Sequence, residues 1–245
     1  MGFDSTNYGQ QLAFDVCKRS IEKHNKNVQK KVGTWSIDEY KHLGMLHLYI
    51  KIKSFQRFTE NFSIFEKADQ LTPSLFKNIN NDINVASIGG GPGFELVAFD
   101  FYFKHNSKHS DKNLNISFYN IDLVNDWNDY YSLNGNKYFF EQGDFFKLNI
   151  KKKMDYIIFS NTFGTYLNNE YGWNNIINLL KTAKAIFIND RNKNLNDFKN
   201  KILSNNLYFI EILGKNDHRQ VIITKDKYII PLQFNVIFKN VPYIR

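Results

Sequence analysis

The 245-residue chain predicts an α/β fold. A doubly wound, mostly parallel sheet ends in an antiparallel hairpin, and a helical N-terminal extension precedes it. Three observations predict this. From residue 83 onward, short apolar runs alternate with helical patterns, which is the signature of a parallel sheet with crossover helices. A Gly-rich loop, Gly89–Gly93, follows the first run. Two β-rich runs near the end are separated only by Gly214-Lys-Asn-Asp-His218, the spacing of a hairpin. The expected division is an extension or cap over 1–82 and the α/β domain over 83–245.

The extension reads as helical. Residues 8–31 carry a helical pattern that is basic toward its end (Lys18, Arg19, Lys23, Lys26, Lys30, Lys31). Ser36-Ile-Asp-Glu39 is a capping box, in which the Ser36 hydroxyl accepts from an orphan amide and Glu39 reaches back. The helix it opens is expected to run to about residue 61, with apolar side chains on two faces. Thr72-Pro73 reads as a second helix start, with Pro at the first helical position. In the α/β part the expected strands are Asn84–Ile88, Ile116–Ile121, Tyr138–Gln142, Tyr156–Phe159, Ala185–Ile188, Leu207–Leu213 and Arg219–Thr224. The expected helices are Phe94–His105, Asn125–Ser132, Tyr171–Thr182 and Leu195–Asn205. Tyr228–Phe238 fits either a further strand or a surface segment.

Composition excludes several classes. Apolar residues make up 42 %, too many for a wholly disordered chain. No run approaches the ~18 apolar residues of a transmembrane helix, and the N-terminus lacks the basic-then-apolar pattern of a secretory signal. The single cysteine, Cys17, cannot form an intrachain disulfide or a cysteine-built metal site. The expectation is an intracellular protein with no membrane anchor and no metal; the six histidines form no ligand constellation. Met1-Gly2 begins a sequence that formally fits N-myristoylation, but Phe3 and Asp4 argue against it. The net charge is +8, which favours an anionic partner. Yet 27 of the 32 basic residues are Lys, and Asn occurs 33 times. An AT-rich coding sequence writes that composition at tolerant surface positions, so charge alone points only weakly to nucleic acid.

The loop Gly89–Gly93 carries the strongest chemical signal. A phosphate-binding P-loop needs Gly-Lys-Ser/Thr at its end, but Phe94-Glu95 follows Gly93. The dinucleotide fingerprint needs a small residue where Phe94 stands. Two readings remain, a G-x-G-x-G nucleotide loop and a tight turn without a ligand. Asp122, at the end of the next strand, stands where a carboxylate accepts ribose hydroxyls in nucleotide-binding α/β folds; otherwise it is a helix cap. Asp144, after the third strand, either accepts from an adenine amino group with Phe145 against the ring, or caps a turn.

Taken together, strand, Gly89-Gly90-Gly91-Pro92-Gly93, helix, strand, Asp122, helix, strand, Gly143-Asp144, strand, Ser160-Asn161 and a terminal hairpin resemble the class I S-adenosylmethionine-dependent methyltransferases. The resemblance covers about 83–225. It implies a seven-stranded sheet with an antiparallel last strand, and S-adenosylmethionine as cofactor. It places Gly89, Gly90, Gly91 and Gly93 at the methionine moiety, Asp122 at the ribose hydroxyls and Asp144 at the adenine with Phe145 against the ring; Leu123, Gly143, Ser160 and Asn161 complete the candidate cofactor-binding residues. Many members carry an acid two residues before the first glycine; here that residue is Ser87, and Glu95 is the candidate substitute.

Methyl transfer requires alignment above all, and a base only where the acceptor must lose a proton. Asn161, Tyr166 and Asp190 are the candidate catalytic residues, with Ser160, Thr162, Phe163 and Arg191 beside them. The base-amine methylating members carry an Asn/Asp-Pro-Pro-aromatic box here, and Ser160-Asn161-Thr162-Phe163 lacks both prolines. The expected acceptor is a macromolecule, RNA ahead of protein, with Trp35, Tyr40 and Tyr166 available to stack on bases. The alternatives are a catalytically silent partner subunit of a larger complex and a small-molecule methyltransferase.

Overall fold

Helix α1 (Leu43–Leu71) runs ten residues past the end expected from the sequence. Ile64, Phe65, Ala68 and Leu71 continue its apolar stripe, and nothing between them breaks a helix. Pro73 is its stop. A residue before proline is pushed out of the α region, so Thr72 makes the last helical bond, its N–H donating to Ala68 O at 2.8 Å. Thr72-Pro73 therefore ends one helix and opens only a turn, contrary to the sequence expectation.

The computed structural model describes residues 40, 43–77, 82–106, 114–130, 137–147, 152–164, 169–190, 195–213 and 219–226. The expected basic helix over 8–31, the capping box, Trp35, Tyr166, Arg191 and the Tyr228–Phe238 run lie outside them. After α1 come β1 (Asp82–Ile88), α2 (Phe94–His105), β2 (Asn115–Asp122), a 3-10 helix (Asn125–Tyr130), β3 (Lys137–Gln142) and β4 (Tyr156–Ser160). α3 (Glu170–Leu180), β5 (Ala185–Asp190), α4 (Leu195–Ser204), β6 (Tyr208–Leu213) and β7 (Arg219–Thr224) follow. The segment expected as a helix from Asn125 is a single 3-10 piece. α3 starts one residue early because the Asn169 side chain caps it, accepting from Gly172 N at 2.8 Å.

The strands form one sheet in the order β3-β2-β1-β4-β5-β7-β6. The first five in sequence pair in parallel. β7 enters between β5 and β6, antiparallel to both. Chain direction reverses its progress across the sheet between β1 and β4, and the carboxyl ends of strands at such a switch point open a crevice.

Each central strand is buried on both faces and reads as a continuous apolar run. One face packs on α1 and α2 through Val85, Phe99, Phe118, Tyr156 and Phe187. The other packs on α3 and α4 through Ile88, Phe159, Ile188, Ile176 and Phe198. Phe65, Phe76 and Tyr156 ring Phe187 at centroid separations of 5.1–6.3 Å. Among the described residues, no helix is long and apolar enough to cross a membrane.

Candidate functional site

On the α1/α2 face the last inward position of β1, β2, β4 and β5 is polar (Ser87, Asn120, Ser160 and Asn189), as is Gln220 beside Asn189 at the start of β7. Four of the five are buried, and Ser160 lines a cavity of about 250 Å³ at the switch point. Besides Ser160, Gly89, Gly91, Asp122, Leu123, Gly143, Asp144, Phe145, Asn161 and Thr162 line it, and Tyr40, Tyr49 and Trp127 form an aromatic wall. Of the candidate cofactor residues, Gly90, Gly93 and Glu95 do not line it. Of the candidate catalytic residues, Asn161 does, Asp190 does not, and Tyr166 lies outside the described residues.

The glycine loop is built from below. Gly89, Gly91 and Gly93 have positive φ, at 64°, 52° and 76°, which L side chains rarely adopt. Gly93 serves as the N-cap of α2 rather than as a cavity wall. At Gly90 the constraint is space: a Cβ there would collide with Asn120, Ser87 and Glu95 side-chain oxygens. Those three form the loop's buried floor. Ser87 Oγ donates to Glu95 Oε1. Asn120 Nδ2 donates to Gly91 O at 2.8 Å and to the Tyr138 hydroxyl at 3.1 Å.

Glu95 therefore supplies a carboxyl next to Ser87, but beneath the loop and not in the cavity. It is 2 % exposed. Burial pushes its pKa up to about 7, against the opposing hydrogen bond from Ser87 and the nearby Arg57 charge. Arg57 comes from α1; it pairs with Glu60 at 2.9 Å and donates to the Tyr49 hydroxyl.

Asp122 sits where the sequence puts it, and it also holds the loop. Its Oδ2 accepts from Gly91 N at 2.8 Å and its Oδ1 from Val124 N at 2.9 Å. Burial raises its pKa, and the backbone donors at Val124, Gly91 and Leu123 oppose that rise. Each carboxylate oxygen keeps a further acceptor site. Asp144 folds its own turn, Oδ1 accepting from Phe146 N at 3.0 Å. Asp190 is turned away from the cavity, its Oδ2 accepting from Gly164 N at 2.8 Å.

Asn161 is one of two non-Gly residues with positive φ among those described, at 57°. Such strain collects at functional sites. Its side-chain nitrogen is buried and has no hydrogen-bond partner, a donor waiting at the cavity wall. Tyr49 and Trp127 were not legible as site residues. Their rings lie 5.6 Å apart, with Tyr40 5.8 and 6.0 Å from them. Trp127 sits on the 3-10 helix that follows Asp122, the one sequence cue available; Tyr49 is remote on α1 and carries none. Tyr40, an aromatic the sequence offers for stacking on bases, is part of this wall. Phe94 is buried with Leu46, Ile50, Val124 and Trp127 and leaves the cavity open. Among the described residues, no group of His, Cys, Asp or Glu could hold a metal ion.

The strand order, the reversed seventh strand and the crevice at the switch point define the class I methyltransferase fold. Solved structures share it. The plantazolicin methyltransferase BpumL, in complex with a monoazolic desmethylPZN analog and SAH, superposes with a TM-score of 0.53 at 12 % identity, covering 89 % of this chain and 99 % of that one. The same enzyme with a pentazolic analog and SAH gives 0.51 at 13 % identity, covering 89 % and 100 %. No protein-family model matches the chain, and no curated protein matches it.

Proposed function

We propose that the chain is an S-adenosylmethionine-dependent methyltransferase. The observation that carries this reading is the cavity itself: a positive-φ glycine loop, Asp122 and Asp144 converge at the switch point of a methyltransferase fold. The residues fit the cofactor. Gly89 and Gly91 present bare backbone, Asp122 keeps acceptor capacity for hydroxyls, and the Asn161 amide offers an unpaired donor. When bound, the cofactor supplies an electrophilic methyl group on sulfonium sulfur. In this reading Asp122 would hold the ribose, Asp144 and Phe145 the adenine, and the Tyr40–Tyr49–Trp127 wall would exclude water. No described carboxylate other than Asp122 and Asp144 lines the cavity, so the chain's contribution is alignment more than proton removal.

The acceptor is proposed as a macromolecule. Net charge supports RNA; the cavity's only charged described side chains are acidic, which opposes it. Affinity for RNA that falls steeply with salt supports the RNA arm, and a flat profile removes it. Among the described residues Phe94 does not block the cavity, which weighs against the silent-subunit alternative.

Calorimetric titration with SAH tests the cofactor. Wild type should bind, and Asp122→Ala should weaken binding by ~1–3 kcal/mol, the scale for stranding polar partners. No heat with wild type at millimolar SAH would refute the reading.

A further inference from the structure

We propose that Asn61, on α1, is a positioning residue for the candidate site: it clamps the ends of β4 and β5 so that the turn Ser160-Asn161-Thr162 keeps its place against the glycine loop.

Ser160, Asn189 and Gln220 are neighbours in one row across β4, β5 and β7, all facing α1. Asn61 is fully buried over that row. Its Nδ2 donates to Ser160 Oγ at 3.1 Å and back to Arg57 O at 2.8 Å. Its Oδ1 accepts from Asn189 Nδ2 at 3.1 Å. Asn189 in turn accepts the Asn161 N–H on its carbonyl at 2.6 Å. Thr162 Oγ1 then donates to Gly89 O at 3.2 Å, and a Cβ on Gly89 would press on the Thr162 side chain. One helix side chain is thus joined to the strained Asn161 backbone and, through Thr162, to the glycine loop. The rest of the row is held the same way: Gln220 Nε2 donates to Glu60 O at 2.8 Å and Lys67 Nζ to Gln220 Oε1 at 2.7 Å. A buried polar row costs stability unless every member is paired. An apolar row would pack α1 equally well, but it would remove the side-chain tie between α1 and the ends of β4 and β5 from which the Asn161 turn leaves.

The inference rests on the cofactor reading for the ligand it affects, and its test separates the two. The full chain carries Asn61→Leu, which keeps the branching of the side chain and removes its hydrogen bonds, or Ile64→Val, a trimming of the same helix away from the row. SAH affinity, thermal stability and exchange of the Asn161 amide hydrogen are measured for each. Asn61→Leu should weaken SAH about tenfold and speed Asn161 exchange about tenfold, the scale for stranding buried polar partners. Ile64→Val should lower stability and leave affinity and Asn161 exchange unchanged. If Asn61→Leu does not fold, Asn61→Ser gives the same comparison. Unchanged affinity and exchange in the Asn61 variant overturn the proposal. If wild type binds no SAH, the cofactor reading falls and the exchange result alone decides for or against the clamp.

Discussion

Replacing Glu95 by Gln removes a titratable group from beneath the glycine loop while keeping its shape. The carboxyl is enclosed by Ser87, Asn120 and the Gly90 backbone, with Arg57 and Asp122 as the charged groups acting on it. The Asn120 carbonyl oxygen beside it is buried without a donor, which suits a protonated carboxyl. Its pKa rises from 4.5 to about 7, a difference worth ~3 kcal/mol between the two protonation states. The sign follows from linkage. The folded state binds the proton more tightly than the unfolded one, so this stabilisation is complete below about pH 4.5 and is lost as pH rises through about 7. Glu95→Gln keeps a neutral side chain at every pH. Relative to wild type it should gain up to ~3 kcal/mol between about pH 5 and about pH 8. Urea denaturation followed by tryptophan fluorescence at a series of pH values reads this directly. Parallel curves, with a stability difference constant to within about 0.5 kcal/mol, would refute the account of a buried, proton-retaining Glu95.

Gly90→Ala should lower stability by about 1–3 kcal/mol, the usual cost of overpacking, and weaken SAH more than tenfold, because the loop must lift from its floor; wild-type affinity by calorimetry would contradict the crowding at Asn120, Ser87 and Glu95. Phe187→Ala should cost about 3–5 kcal/mol in urea denaturation, since the ring is fully buried among Phe65, Phe76 and Tyr156. It faces away from the cavity, so the folded fraction should bind SAH as wild type does; a loss below about 1 kcal/mol would mean the core had relaxed around the gap.

What could be read without coordinates was local in origin. Strands such as Tyr156–Ser160 and Ala185–Asp190 are buried on both faces, and that leaves uninterrupted apolar runs in the chain. The glycine loop, Asp122 and Asp144 were legible because a parallel strand delivers its loop to the carboxyl edge, so their positions in the crevice follow from chain order alone. The end of α1 was misjudged because Pro73 is compatible with starting a helix and with stopping one, and only packing of Ile64, Phe65 and Ala68 decides between them. Tertiary structure also decided which candidates face the cavity. Glu95 and Asp190 are acids at the expected places whose side chains turn to buried backbone and hydroxyl partners, a direction no spacing encodes. Tyr49, Arg57 and Asn61 reach the site from a helix that precedes the sheet. Tyr49 contacts Trp127, the Arg57 charge acts on Glu95, and Asn61 bonds Ser160, joining residues 38 to 99 positions apart. The pairing of β7 rather than β6 with β5 belongs to the same category: a hairpin presents two similar apolar strands, and only docking onto the sheet selects the one that becomes central.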